Sequence, residues 1–151
     1  MGSRRSVLLT GVTGYVYVLL RPANRPLHLG WRLIFTPITS GGTVLTTLLK
    51  STDKTVQSLN INTLVRRQDQ AQRLADQGIK SVTLEGGLDD VQGLVNLASQ
   101  HDIVLHCASG FHTASAEALI RGLARHRHEN AGINPIYIHV GLCSDQCRKP
   151  R

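Results

Sequence analysis

The residues with the most specific chemical potential are Thr10-Gly11-Val12-Thr13-Gly14-Tyr15-Val16. Two glycines, three positions apart, follow directly on Val7-Leu8-Leu9, a run apolar enough for a buried strand. Glycines in that place let the backbone turn tightly and bring its N–H groups up to a pyrophosphate. A helix starting just after the turn adds its dipole and its unpaired first-turn N–H groups to the anion site. The third glycine of such a turn is expected two residues past Tyr15, where Tyr17 stands instead. It arrives later, in Gly41-Gly42-Thr43-Val44-Leu45. With residues 17–40 left out, the text reads Thr-Gly-Val-Thr-Gly-Tyr-Val-Gly-Gly-Thr-Val-Leu, a full G-x-x-G-x-x-G that opens an amphipathic helix. Alone, a glycine triplet after a strand is as compatible with a plain tight turn.

A second group of polar residues lies at Val65-Arg66-Arg67. In a dinucleotide-binding sheet the end of the second strand meets the adenosine ribose. An acid there binds the two ribose hydroxyls and favours NAD, whereas an arginine pairs a 2′-phosphate and favours NADP. Arg66 and Arg67 occupy that end and the nearest acid is Asp69, so NADP is expected in preference to NAD; a solvated strand end is the plain alternative. The histidines carry less. His106 falls inside a buried strand and is expected to be packed and hydrogen-bonded, and His101, His112, His126 and His128 fall at loops or helix ends. His139, Cys143 and Cys147 are four apart but have no fourth ligand nearby, so no metal site is expected.

These groups need a frame, and the hydrophobic pattern supplies one. Strands are expected near 6–10, 61–65, 81–84, 102–107 and 136–140. Helices are expected at Thr43–Lys50, Asp69–Gln77, Asp89–Ser99 and Ser115–Arg127. Alternating strands and helices imply βαβ units with right-handed crossovers. The expected fold class is therefore α/β, a Rossmann-type doubly wound parallel sheet of about five strands, order 3-2-1-4-5, incomplete. The first strand lies centrally at the switch point.

On these residues the sequence resembles the extended or atypical short-chain dehydrogenases/reductases, of the NAD(P)-binding, epimerase-like or NmrA-like kind. The resemblance covers residues 6–16 and 41–140 and is most specific in the spliced T-G-x-T-G-Y-V-G-G motif. It implies a cofactor-binding set of Gly11, Thr13, Gly14, Tyr15, Val16, Gly41, Arg66, Arg67, Leu88, Ala108 and Ser109. In the family the segment after the third strand reads Gly-Asp-Leu, with the Asp near the adenine. Here it reads Gly86-Gly87-Leu88, so a glycine stands in the Asp position. The loop after the fourth strand, Ala108-Ser109, passes under the cofactor's ribose and nicotinamide in that family. The family commonly catalyses through a Tyr-x-x-x-Lys pair. Four residues after Tyr15, Tyr17 and Tyr137 stand Leu19, Arg21 and Gly141, so no catalytic residue is assigned. The resemblance stops at about Val140, before the catalytic helix and substrate lobe, and a catalytically incomplete domain is expected.

Composition narrows the remaining classes. The chain has 151 residues, 41% hydrophobic and 18% charged, ordinary for one globular domain. No apolar run reaches the ~18–20 residues of a membrane span, and no secretory signal is read at the start. Three cysteines, an odd number, speak for a reducing, cytoplasmic setting. Of the net +7, residues 17–40 hold +3 and residues 141–151 hold +2, leaving +2 elsewhere, so no nucleic-acid surface is expected. Residues 17–40 also carry the single Trp and three of the five Pro. They show neither a clean helix period nor clean strand alternation. They read as an insertion within a domain of residues 1–140, with 141–151 an unstructured tail. A tolerated surface loop and translated non-coding sequence are the two accounts of the insertion, the second being favoured because it splits the phosphate turn. The function expected is an NAD(P)-binding domain of an oxidoreductase- or epimerase-like protein. The alternatives are a non-catalytic dinucleotide sensor and a functionless fragment, with protein partners unassigned.

Overall fold

The structure, a computed structural model, describes residues 4–13 and 40–140. The calls made on Gly14, Tyr15, Val16, on 17–39 of the insertion and on the 141–151 tail lie outside the described residues. Five strands form one all-parallel sheet: β1 (Ser6–Thr10), β2 (Asn60–Val65), β3 (Lys80–Thr83), β4 (Ile103–His106) and β5 (Ile136–His139). Their order is β3-β2-β1-β4-β5, so the chain reverses direction across the sheet between β1 and β4. Each strand lies within about a residue of its expected position.

Five helices connect them: α1 (Ser40–Lys50), α2 (Lys54–Gln57), α3 (Gln68–Ala75), α4 (Val91–Ala98) and α5 (Thr113–Glu129). α1 begins at Ser40, ahead of the Gly41-Gly42 pair, so Ser40 belongs to the helix and not to the insertion. α2 has no counterpart among the expected helices, because four residues show no period. Its signal is local: the Asp53 carboxylate accepts from the N–H groups of Thr55 and Val56.

The sheet is buried by two separate clusters because successive strand residues point to opposite faces. Leu8 of β1 goes to one side with Leu64, Val104, and the α4–α5 residues Leu94, Leu97, Ala98, Ala118, Leu119 and Leu123. Leu9 goes to the other with Val65 and with Leu45 of α1, Ala71 of α3 and Ile79. Leu119 and Leu94 have no exposed surface, and truncating either to Ala should cost about 2–5 kcal/mol. At the amino ends of the strands, the Asp102 carboxylate accepts from the Ser6 N–H at 2.7 Å and pairs with His126 Nε2 at 3.0 Å. That contact ties β1, β4 and α5 together. No buried side-chain N or O among the described residues lacks a partner.

Candidate functional site

The site grows from the end of the central strand. β1 stops at Gly11, whose φ of +79° suits a residue without Cβ. A Cβ there would lie 2.5 Å from the Cys107 carbonyl carbon and 2.6 Å from the Ala108 Cα, so the β1 turn and the loop after β4 pass with no room for a side chain. From the other direction Gly41, in the first turn of α1, meets the same turn. A Cβ on it would lie 2.5 Å from the Gly11 carbonyl oxygen and 2.9 Å from the Val12 N. The helix that the glycine pattern requires thus starts against the glycine turn, although residues 14–39 intervene. α1 has no acidic residue in its first turn.

A narrow cleft opens beside this junction. Thr10, Gly11, Thr13, Leu64, Val65, Arg66, Gly87, Leu88 and Ala108 line it, and it encloses about 30 Å³. That is room for one or two waters, so a larger molecule would lie along the open carboxyl edge of the sheet with one part in the cleft. Five of the residues assigned from sequence meet there: Gly11, Thr13, Arg66, Leu88 and Ala108. Gly41 stands behind the wall, against Gly11. Arg67 turns away: its guanidinium grips Asp69 through Nε and Nη2, both at 2.8 Å. Arginine pairing holds the Asp69 carboxyl below its usual range. Among the described residues no carboxylate pairs with Arg66. Ser109 lies outside the cleft lining; its Oγ accepts from the Phe111 N–H and its carbonyl oxygen is 3.2 Å from His139 Nε2.

Sequence reasoning missed Thr10, Leu64, Val65 and Gly87 as lining. Thr10 was legible as the last strand residue before the turn. Gly87 stands at the family's Asp position near the adenine and, without a side chain, stays out of the set; Leu64 and Val65 depend on which strands become neighbours, which no local signal carries. A wider open depression of about 480 Å³ runs along α3 and β3, lined by Gln68, Ala71, Gln72, Ala75, Gly78, Ile79, Lys80 and Ser81. Lys80 is its one titratable side chain, and it contains no carboxylate, thiol or imidazole to pair with that amine and no phosphate-binding turn.

Behind the cleft a buried polar chain closes the core. The Thr10 hydroxyl donates to His106 Nδ1 at 2.8 Å and accepts from the Cys107 N–H, while His106 Nε2 faces Ser115 Oγ at 3.4 Å. Ser115 Oγ spends its own proton on the His112 carbonyl oxygen, so it accepts from His106 Nε2–H and leaves Nδ1 to accept from Thr10. His106 is wholly buried. Burial, reinforced by His139 and His112 nearby, pushes its pKa down to about 4, so it is a neutral packing residue, as the sequence position implied. His112 caps α5: its Nδ1 accepts from the Ser115 N–H, and its Nε2 reaches Asp89 at 3.0 Å. Tyr137 stands within 3.5 Å of His139 Nδ1, and burial raises the phenol's pKa. Among the described residues no group of three or more His, Cys, Asp or Glu is placed to hold a metal ion, and no helix is long and apolar enough to cross a membrane. The chain matches no family model, and no curated protein or solved structure matches it.

Proposed function

We propose that the chain is an NAD(P)-binding domain of the short-chain dehydrogenase/reductase kind, epimerase-like or NmrA-like, that binds NADP in preference to NAD. The observation that carries this reading is the seating of Gly41 against Gly11 and Val12. It rebuilds a glycine turn capped by a helix start, at the position where the strand order reverses, which is where doubly wound sheets bind ligands. The pyrophosphate would sit over the Gly11–Thr13 turn before α1, and Gly14, Tyr15 and Val16 continue the same motif. The adenosine would lie toward Arg66 and Leu88, and the nicotinamide toward Ala108 and Ser109. Arg66 is the 2′-phosphate partner, because Arg67 is engaged by Asp69. A cytoplasmic setting belongs to the same proposal, supported by the three cysteines.

The chain's tyrosines favour binding without turnover. A tyrosine acid/base needs a lowered pKa, supplied in this family by lysine four residues on. Tyr137 has its pKa raised and is followed at that spacing by Gly141. A dinucleotide-sensing role is therefore the second reading.

The test is equilibrium titration of the purified chain with NADPH, NADH and adenosine 2′,5′-bisphosphate, followed by cofactor fluorescence and calorimetry. Saturable binding of NADPH, displaced by the bisphosphate, is expected. No saturable binding of either dinucleotide at millimolar concentration overturns the proposal.

A further inference from the structure

The loop between β3 and α4 forms one wall of the cleft and is rich in acid, with Glu85, Asp89 and Asp90 close together in sequence. None of the three pairs with Arg66. The Asp90 carboxylate accepts from the Gly93 N–H at 2.8 Å and starts α4. Asp89 meets His112 Nε2 at 3.0 Å, which fastens the loop to the start of α5. Glu85 is exposed, and among the described residues neither it nor any other carboxylate comes within ion-pair distance of Arg66. The loop residue beside the arginine is Gly87. Both line the cleft, and a Cβ on Gly87 would meet a single atom, the Arg66 Cγ at 4.0 Å. The turn holds Gly87 in place. Its N–H donates to the Leu84 carbonyl oxygen at 3.0 Å, and the Asp89 N–H donates to the Gly86 carbonyl oxygen at 3.1 Å. Its φ of +57° is free to glycine and is taken by Asn and Asp more readily than by other residues.

We propose that Gly87 is a specificity-determining residue of the cleft: its missing side chain leaves Arg66 without an internal carboxylate and so reserves the guanidinium for a phosphate monoester on the ligand. An Asp side chain at this position would start in contact with the Arg66 stem. Its carboxylate would lie within reach of the guanidinium, which continues from the same Cγ. It would then compete with any anion of the ligand, as Asp69 already holds Arg67. A phosphate monoester carries close to two negative charges at neutral pH, so an arginine without a protein partner suits it, whereas uncharged ribose hydroxyls gain little from one. The inference rests on the cofactor reading for the place of the adenosine 2′-phosphate, and it adds the loop position on which the preference depends.

The test is calorimetric titration of the full 151-residue chain with adenosine 2′-monophosphate, which carries the phosphate in question and has no pyrophosphate to place on the glycine turn. The unsubstituted chain is expected to bind it roughly tenfold more tightly than adenosine. Gly87→Asp should weaken that binding about tenfold. Gly87→Asn, equal in size and in its tolerance of the turn, should leave it nearly unchanged. On an Arg66→Gln background the gap between the Gly87→Asp and Gly87→Asn chains should shrink severalfold, which an altered loop shape alone would not produce. Leu88→Asp against Leu88→Asn, at the next lining position, makes the same comparison if the Gly87 variants do not fold. Equal affinity of the Asp and Asn variants overturns the proposal, as does a gap undiminished without Arg66. No saturable binding of adenosine 2′-monophosphate by the unsubstituted chain at millimolar concentration also overturns it. NADPH titrated alongside keeps the two readings apart. Binding of the monophosphate that Gly87→Asp weakens, in a chain that does not bind NADPH, supports the proposal and overturns the dinucleotide reading. NADPH bound equally by the Gly87→Asp and Gly87→Asn chains overturns the proposal alone.

Discussion

Gly41 stands against Gly11 so closely that a Cβ on it would fall 2.5 Å from the Gly11 carbonyl oxygen, with the whole of 14–39 between them in sequence. The contact is backbone to backbone. It does not depend on a flexible side chain that could yield, and it sets the start of α1 at the end of the central strand. An insertion in this turn is therefore compatible with a closed turn, provided the inserted chain leaves and returns at one place.

Gly41→Val should separate α1 from the turn. Overpacking a backbone contact costs about 1–3 kcal/mol, a fall in Tm on the order of 5–10 °C for a domain of this size. NADPH affinity should fall further than stability alone explains, because the displaced helix start no longer faces the phosphates. Thermal melts and titrations of the same preparation measure both. An unchanged Tm would show that the junction is looser than the 2.5 Å approach implies.

The two adjacent arginines should behave differently. Arg66→Glu removes the 2′-phosphate partner and should cut NADPH affinity roughly 10- to 100-fold, the worth of a charge-assisted bidentate contact, while NADH affinity holds or rises. Arg67→Glu breaks a solvent-exposed pair with Asp69, a class of contact that contributes little because water screens it, and should leave the cofactor preference nearly as it was. Equal affinity of the unsubstituted chain for NADPH and NADH would remove Arg66 from the assignment.

The acid side of the stability curve should report His106. Its folded pKa of about 4 lies below the ordinary histidine value of 6.5. Between those values the unfolded chain binds the extra proton and the folded chain does not, so stability rises with pH there. The contribution is complete above about pH 6.5 and is lost as pH falls through about 4; its ceiling is on the order of 3 kcal/mol. His101, lowered mainly by burial, acts with the same sign. His106→Gln should lower stability at pH 7, because Thr10 and Ser115 lose their geometry, and should flatten the limb between pH 6.5 and 4. Urea melts across that range decide it; an unflattened limb would mean that other groups carry the acid sensitivity.

The frame was legible because a parallel sheet buried on both faces writes its strands as short apolar runs. Val7-Leu8-Leu9 before Gly11 and Ile103-Val104-Leu105 before the β4 loop are such runs, and helix periods fill the gaps. The glycine turn was legible for a similar reason, since only glycine tolerates Gly11's φ and its distance to Cys107. What the sequence did not separate was Arg66 from Arg67. Both sit at a strand end, and their roles split only once Arg67 folds onto Asp69. Nor did it place Leu64 and Val65 on one cleft with Thr10, because those apolar strand residues carry no signal beyond burial. The α2 turn rested on a single Asp cap, too short to leave a period.

The chain should not catalyse hydride transfer. A carbonyl reduction needs a proton donor beside the carbonyl as the hydride arrives, held in place by the protein. The described tyrosine, Tyr137, has its pKa raised by burial, opposite to the shift an acid/base tyrosine needs at neutral pH. Tyr15 and Tyr17 are followed four residues on by Leu19 and Arg21, not lysine. Among the histidines, His106 is wholly buried and spends Nδ1 on Thr10, and His112 spends Nδ1 on capping α5. His139 is exposed at the carboxyl edge, with Nε2 toward the Ser109 carbonyl oxygen and Nδ1 toward Tyr137. Both ring nitrogens therefore already face protein groups. Positioning and acid/base assistance together are worth many powers of ten, so their loss should leave no signal above background. Purified chain and NADPH, or NADP with alcohols, should show no change in cofactor absorbance across a panel of aldehydes, ketones and alcohols. Deleting residues 17–39 should leave this blank result in place, because the deletion alters the turn and adds no acid. Turnover proportional to protein concentration and abolished by Gly14→Val would overturn the prediction. Its loss in His139→Gln would then identify the proton donor.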